Sequence, residues 1–141
     1  MKISARNQYR GRVKHVSKGA VNADVILDIG DGLELFANIT NEAIEELSLR
    51  PGREAVALIK ASFVLLSPDL NVRISARNRL AGTVSSVMPG AVNDEVKIQL
   101  PGGRMLSAIV TKDAREELGL AIGSACVALI KASHVLLAVS D

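Results

Sequence analysis

The stretch Ile3-Ser4-Ala5-Arg6-Asn7 returns later in the chain as Ile74-Ser75-Ala76-Arg77-Asn78. A second stretch, Ala57-Leu58-Ile59-Lys60-Ala61-Ser62, returns as Ala128-Leu129-Ile130-Lys131-Ala132-Ser133, and Gly19-Ala20-Val21-Asn22 returns as Gly90-Ala91-Val92-Asn93. Every pair is separated by 71 positions, so no residue has been inserted or deleted between the blocks. A repeat of this length predicts two tandem modules that share one fold.

Proline and Asx residues mark the junction between the two copies, in Ser67-Pro68-Asp69-Leu70-Asn71. Such residues are typical of linkers. The sequence therefore predicts a first domain at 1–67, a linker at 68–72 and a second domain at 73–141.

Apolar residues make up 48% of the 141 residues, whereas aromatic residues make up 2%. Modules of this size bury only a marginal core. We therefore expect the surplus aliphatic surface to be buried in an oligomer. The single cysteine, Cys126, excludes an intrachain disulfide, and its equivalent Ala55 predicts a buried packing residue.

No apolar run is long enough to cross a bilayer, and the amino terminus lacks the apolar core of a secretory signal. Together with the absence of disulfides, these features predict a cytoplasmic protein without membrane association. The net charge of +2 is weak support for a polyanionic partner.

Sequence patterns of enzymes are absent: there is no phosphate-binding Gly-x-x-x-x-Gly-Lys, no nucleophile elbow and no spaced His/Cys cluster. His15 aligns with Ser86 and His134 with Phe63, so neither histidine has a role common to both modules. We expect both to be structural or incidental, and the protein not to be an enzyme.

Hydrophobic periodicity predicts strands at 2–16, 24–29 and 33–39, a short helix at 40–47 and a long central strand at 54–67. Asp31-Gly32 predicts a hairpin turn between the second and third strands. This order is typical of a small Greek-key barrel of the oligonucleotide-binding type. The predicted fold class is all-β with short helices, in two tandem barrels.

Polar side chains interrupt otherwise apolar segments in both modules. On a strand, Ser4 and Arg6 would share one face, as would Lys60 and Ser62. A lysine among apolar residues needs a partner, and Lys60 could reach solvent or pair with Glu34 or Glu54. Because both copies keep these cations and hydroxyls, we favour a small anion rich in acceptor oxygens as the partner.

The Gly19–Asn22 turn could add backbone amides around such an anion, since glycine allows close approach. An ordinary hairpin turn, with Asn22 bonding its own backbone, is an equally good interpretation.

The three repeated blocks together resemble the Mop domain, the molbindin module, over residues 2–67 and 73–138. The resemblance implies a tandem Mop-domain protein of the cytoplasmic molybdenum storage or homeostasis kind, assembled as a homotrimer. It implies molybdate as the ligand, with tungstate as a mimic, held as an intact dianion between modules and without direct metal coordination.

Two classes of oxyanion-binding residues are implied by the resemblance. The first contains Ser4, Ala5, Arg6, Asn7, Lys60, Ala61 and Ser62, with Ser75, Ala76, Arg77, Asn78, Lys131, Ala132 and Ser133 as the second copy. The second class, near a symmetry axis, contains Gly19, Ala20, Val21 and Asn22, with Gly90, Ala91, Val92 and Asn93 as the second copy. Both sets are intact in both modules, so neither repeat is expected to be degenerate.

Single-stranded nucleic-acid binding is the main alternative, because the barrel type and mild basicity permit it. Such proteins stack bases on aromatic side chains, and this chain has one Tyr, two Phe and no Trp. Nucleic acid is therefore the less favoured partner.

Overall fold

The structure is a computed structural model that describes residues 1–140; Asp141, the last residue of the predicted second domain, lies outside the described residues. The first repeat forms β1 (Asn7–Lys18), β2 (Asn22–Gly30), β3 (Leu33–Thr40), α1 (Asn41–Glu46), β4 (Glu54–Ile59) and β5 (Leu65–Ser67). The second forms β6 (Asn78–Met88), β7 (Asn93–Gln99), β8 (Met105–Thr111), α2 (Lys112–Leu118), β9 (Ala125–Ile130) and β10 (Leu136–Ala138). The predicted all-β class with short helices is confirmed.

Each repeat contributes its last short strand to the sheet of the other repeat. The two antiparallel sheets have the orders β10-β4-β1-β2-β3 and β5-β9-β6-β7-β8. Leu136 to Ala138 thus pair with Leu58 to Val56, and Leu65 to Ser67 pair with Leu129 to Val127. In each sheet the short edge strand also approaches the opposite edge strand, as in an oligonucleotide-binding-type barrel.

The chain consequently divides into two compact units whose boundaries differ from those of the sequence repeat. Unit 1 comprises Met1–Ile59 together with the segment from Ala132 onward, and unit 2 comprises Lys60–Lys131. The contiguous domains predicted at 1–67 and 73–141 follow the repeat. They do not follow the compact units, because β5 and β10 pair outside their own repeat.

The prediction of one long strand at 54–67 is wrong. Strand β4 ends at Ile59, the chain turns through a 3-10 helix at Ala61–Phe63, and only Leu65–Ser67 is extended again. The break is where the chain leaves one sheet for the other. Apolar residues on both sides of the break are buried in cores, which explains why the sequence reads as one continuous apolar strand.

The remaining elements lie close to the predicted ones. Strand β1 begins at Asn7 instead of residue 2, while the helix and hairpin are confirmed. The Thr40 hydroxyl accepts a hydrogen bond from the Ala43 amide at 3.1 Å and caps α1. At the β2–β3 turn, Asp31 has φ 56°, a left-handed conformation that Asp tolerates better than most residues.

Aliphatic side chains form the core of each unit, as the scarcity of aromatic residues requires. In β2 the alternate residues Val25, Leu27 and Ile29 are buried, with exposures of 2% or less. Cys126 is fully buried in β9, which confirms the packing role, and burial raises the pKa of its thiol.

Candidate functional site

Asparagine anchors the predicted first-class residues in both units. Asn78, the first residue of β6, is buried, and its Nδ2 donates to the carbonyl oxygen of Ile130 at 3.1 Å. Asn78 and Ile130 are also register partners, and Lys131 follows Ile130 directly. In unit 1 the equivalent Asn7 is buried and is the register partner of Ile59. The asparagines therefore hold the start of one strand against the end of another.

The other first-class residues are distributed over both units. Unit 1 contains Ser4, Ala5, Arg6, Asn7, Ala132 and Ser133, and unit 2 contains Lys60, Ala61, Ser62, Ser75, Ala76, Arg77, Asn78 and Lys131. The serines and cations are exposed, whereas Ala61 and Ala132 are buried. Ser4 and Arg6 precede β1, and Lys60 and Ser62 lie outside any strand. The alternation argument for their shared faces is therefore wrong, although their polar groups do reach the surface.

Lys60 is exposed, in agreement with the interpretation that a lysine among apolar residues reaches solvent. Its ammonium lies 5.7 Å from the centre of the Phe63 ring, within cation–π range. The carboxylates considered as partners have other contacts: Glu34 pairs with Lys14, and Glu54 lies 3.6 Å from Arg12. Lys131 is likewise exposed. Both lysines thus present a charge to solvent at the end of a buried strand.

The two Gly-Ala-Val-Asn turns use their glycines for closure of the turn itself. The Gly19 amide donates to the Asn22 carbonyl at 2.8 Å. A Cβ at Gly19 would stand 3.0 Å from that oxygen, and a Cβ at Gly90 would stand 2.2 Å from the Asn93 oxygen. The close backbone approach is therefore internal, while Ala20, Val21, Ala91 and Val92 are exposed at the tips.

A buried ion cluster beneath the second turn was missed by the sequence reasoning. Asp94 is fully buried; Lys112 Nζ lies 3.0 Å from its Oδ1, and the Arg115 guanidinium donates to its Oδ2. The Gly90 amide donates to Oδ1 at 3.1 Å. The Arg115 hydrogen bond, with smaller contributions from Gly90 and Lys112, lowers the pKa of Asp94 to about 2 against the opposing effect of burial. The sequence did contain one sign of a buried charge at this point. Asp94 alternates with Val96 and Ile98, so it shares the inward face of β7 with these apolar residues.

Neither helix within residues 1–140 combines the length and apolar character needed to cross a membrane. Over the same residues, His, Cys, Asp and Glu side chains do not gather in a group of three or more that could hold a metal ion.

Comparison with known proteins identifies the repeat unit. The TOBE domain family matches residues 3–66 and 74–137. The chain is 46% identical to the molybdenum-pterin-binding protein MopA of Rhodobacter capsulatus over 98% of its own length and 52% of MopA. It is 43% identical to the molybdenum transport protein ModE of Herbaspirillum seropedicae, covering 53% of that protein. The chain thus spans about half the length of these relatives.

A solved structure matches over the whole chain. It is a structure of the cytoplasmic molybdate-binding protein ModG with molybdate bound, with a TM-score of 0.96 and 48% identity, covering 99% of this chain and 100% of the ModG chain. The relatives named above are described as binding or transport proteins. The repeat, the paired sheets and these matches lead to one assignment: the chain belongs to the TOBE domain family and consists of two tandem Mop-type domains.

Proposed function

We propose that this protein binds molybdate as an intact tetrahedral dianion, with tungstate as a mimic, and serves molybdenum storage or homeostasis in the cytoplasm. The observation that carries the proposal is the match over the full chain to molybdate-bound ModG at 48% identity. The protein is a binding protein and not an enzyme, in keeping with the relatives it resembles.

The chemistry of the first-class residues supports an oxyanion ligand. Each repeat supplies two cations and two hydroxyls at the surface, namely Ser4, Arg6, Lys60 and Ser62 and their equivalents Ser75, Arg77, Lys131 and Ser133. All of these groups can donate hydrogen bonds, which suits a ligand that has only acceptor oxygens. Hydrogen bonds from cations to an anion are about twice as strong as neutral ones.

Exposure of these donors supports sites that are completed by other copies of the chain. Donors that face open solvent compete with water, whereas donors enclosed at an interface do not. Large apolar side chains are also exposed, including Val21 at 71%, Val92 at 72% and Leu136 at 61%. We propose that copies of the chain assemble as a homotrimer, which buries such side chains and encloses the ligand between Mop domains.

Nucleic-acid binding gains no support from the surface. Tyr9 is buried, Phe36 is partly buried, and Phe63 is the one exposed aromatic ring of the described chain. A stacking surface for single-stranded bases needs several such rings.

The test is native mass spectrometry of the desalted protein during titration with molybdate, with sulfate as the control anion. We expect a trimer that takes up several molybdates and little sulfate. Lys60→Ala and Lys131→Ala should each weaken first-class binding by roughly tenfold, because about 1.4 kcal/mol is a modest value for one charge-assisted contact to a dianion. Lys97→Ala, which removes a cation outside both classes, is the matched control.

A monomer that takes up no molybdate would refute the proposed function. Unchanged affinity in both lysine variants would instead refute the role of the lysines. Oligonucleotide binding that persists at physiological salt and depends on Lys60 would favour the alternative.

A further inference from the structure

The two Gly-Ala-Val-Asn turns have the same sequence but rest on different side chains. The residues equivalent to Asp94, Lys112 and Arg115 in the first repeat are Ala23, Asn41 and Ile44. Ala23, Ile44 and Asp94 are all buried. Unit 1 therefore has two apolar side chains and an asparagine at the three positions where unit 2 has an ion cluster.

The contacts of Asp94 are those that an external oxyanion would use. Its carboxylate accepts from the amide of the turn glycine, Gly90, and from the guanidinium of Arg115, and lies 3.0 Å from the ammonium of Lys112. Backbone amides, lysine and arginine are the usual donors to bound oxyanions. In unit 2 these donors are already directed at an anion that belongs to the protein.

We infer that Asp94 is a built-in anion that occupies the donors at the Gly90–Asn93 turn, so that the second class of oxyanion site is present at the Gly19–Asn22 turn and absent from its copy in unit 2. The inference rests on the proposed function, and it makes the repeats unequal although both turn motifs are intact.

Electrostatics at the second turn disfavour a dianion. Asp94 is ionised at neutral pH, so a ligand with two negative charges would be placed close to a buried negative charge. Lys112 and Arg115 are mainly buried, at 31% and 21% side-chain exposure, and are directed at Asp94. Releasing either cation to a ligand would remove one of the two charge partners of the buried carboxylate, which is unfavourable.

The first turn has Ala23 at the position of this buried carboxylate and keeps a cation. Its Gly19 amide donates to the Asn22 carbonyl at 2.8 Å, and Asn41 Nδ2 donates to the Gly19 carbonyl at 2.9 Å. Lys18 directly precedes Gly19 and pairs with Glu45, whose side chain is 70% exposed. Exposed pairs of this kind are weak, so Lys18 can turn to a ligand at little cost. Pro89 stands at the equivalent position in unit 2 and offers no charge.

The test exchanges the two sets of side chains. Pro89→Lys/Asp94→Ala/Lys112→Asn/Arg115→Ile gives the second turn the residues of the first, and Lys18→Pro/Ala23→Asp/Asn41→Lys/Ile44→Arg does the reverse. Whole sets are exchanged because an aspartate introduced at position 23 alone, or Asp94 without its two cations, would be a buried carboxylate without charge partners. Both are made in a chain carrying Lys60→Ala and Lys131→Ala, which weakens the first class, and molybdate per assembly is counted by native mass spectrometry.

We expect the first exchange to double the number of second-class ligands and the reverse exchange to abolish them. Asp94→Asn, which keeps the shape of the side chain but removes its charge, is the variant to use if an exchanged set does not fold, and it should also increase the count. An unchanged count in these variants, in a protein that does bind molybdate, would overturn the inference and leave the proposed function standing. A parent protein that takes up no molybdate would overturn the proposed function, and the inference with it.

Discussion

At the scale of single residues, position 94 shows how much one inward-facing side chain can change a module. A buried carboxylate is tolerated only when charged partners and hydrogen bonds compensate for lost hydration. Asp94 has both, from Arg115, Lys112 and the Gly90 amide. Its partners stand where the first repeat has Asn41 and Ile44, so the cluster depends on three positions that differ together between the repeats.

The lowered pKa of Asp94 predicts a specific acid response. The folded pKa of about 2 lies below the value near 3.9 for an unperturbed Asp. The ion cluster therefore stabilises the fold fully above about pH 4, and this contribution is lost as the pH falls towards about 2. Urea unfolding of wild type and Asp94→Asn should show a stability difference that is constant near neutrality and shrinks between about pH 4 and pH 2. A difference in the free energy of unfolding that does not change with pH would contradict this prediction. Asp113→Asn, which removes a charge from the exposed surface of α2, is the control.

At the scale of elements, close contacts between strands set the path of the sheets. Gly11 in β1 lies opposite Ala55 of β4, just before the irregularity between Val13 and His15 in the pairing with β2. A Cβ at Gly11 would stand 2.2 Å from the Asp28 carbonyl oxygen, and one at the equivalent Gly82 would stand 2.4 Å from the Gln99 oxygen. Glycine at these two positions allows one strand to bend against the backbone of its neighbour.

Gly11→Ala should destabilise the fold by about 1–3 kcal/mol, because the added methyl group meets main chain that cannot move aside. Ser17→Ala, at an exposed position of the same strand, should change stability by less than about 0.5 kcal/mol. Equilibrium unfolding in urea measures both. Equal stability of the two variants would show that the strands separate without cost at this point.

At the scale of the whole molecule, the exchange of β5 and β10 links the two repeats. The sheet of unit 1 is completed by a strand whose residues lie 78–82 positions further along the chain than their register partners, as in Leu136 with Leu58. A repeat boundary in the sequence therefore does not mark a separable folding unit here.

Ending the chain at His134 removes β10 and should expose the β4 edge in unit 1, at Val56 to Leu58. Hydrogen exchange there should be at least about tenfold faster, since edge amides that lose their pairing open locally. Protection of Val127 to Leu129 in β9 should persist, because β5 still pairs with it. Leu66→Pro, which disrupts β5, should give the opposite pattern. Loss of protection in β9 of the shortened chain would contradict the pairing of β5 with β9 and of β10 with β4.

The repeat, the all-β class, the capped helix and the repeated cations and hydroxyls could all be predicted from the sequence, because they depend on local periodicity and on spacing along the chain. Three-dimensional structure was needed to show that the apolar segment from Glu54 to Ser67 is divided between two sheets and that Lys60 is exposed. Burial in either sheet leaves the same hydrophobic pattern, so periodicity cannot tell which sheet a strand joins. The Asp94 cluster likewise required three-dimensional structure, since its partners come from a helix and a turn that only folding brings together.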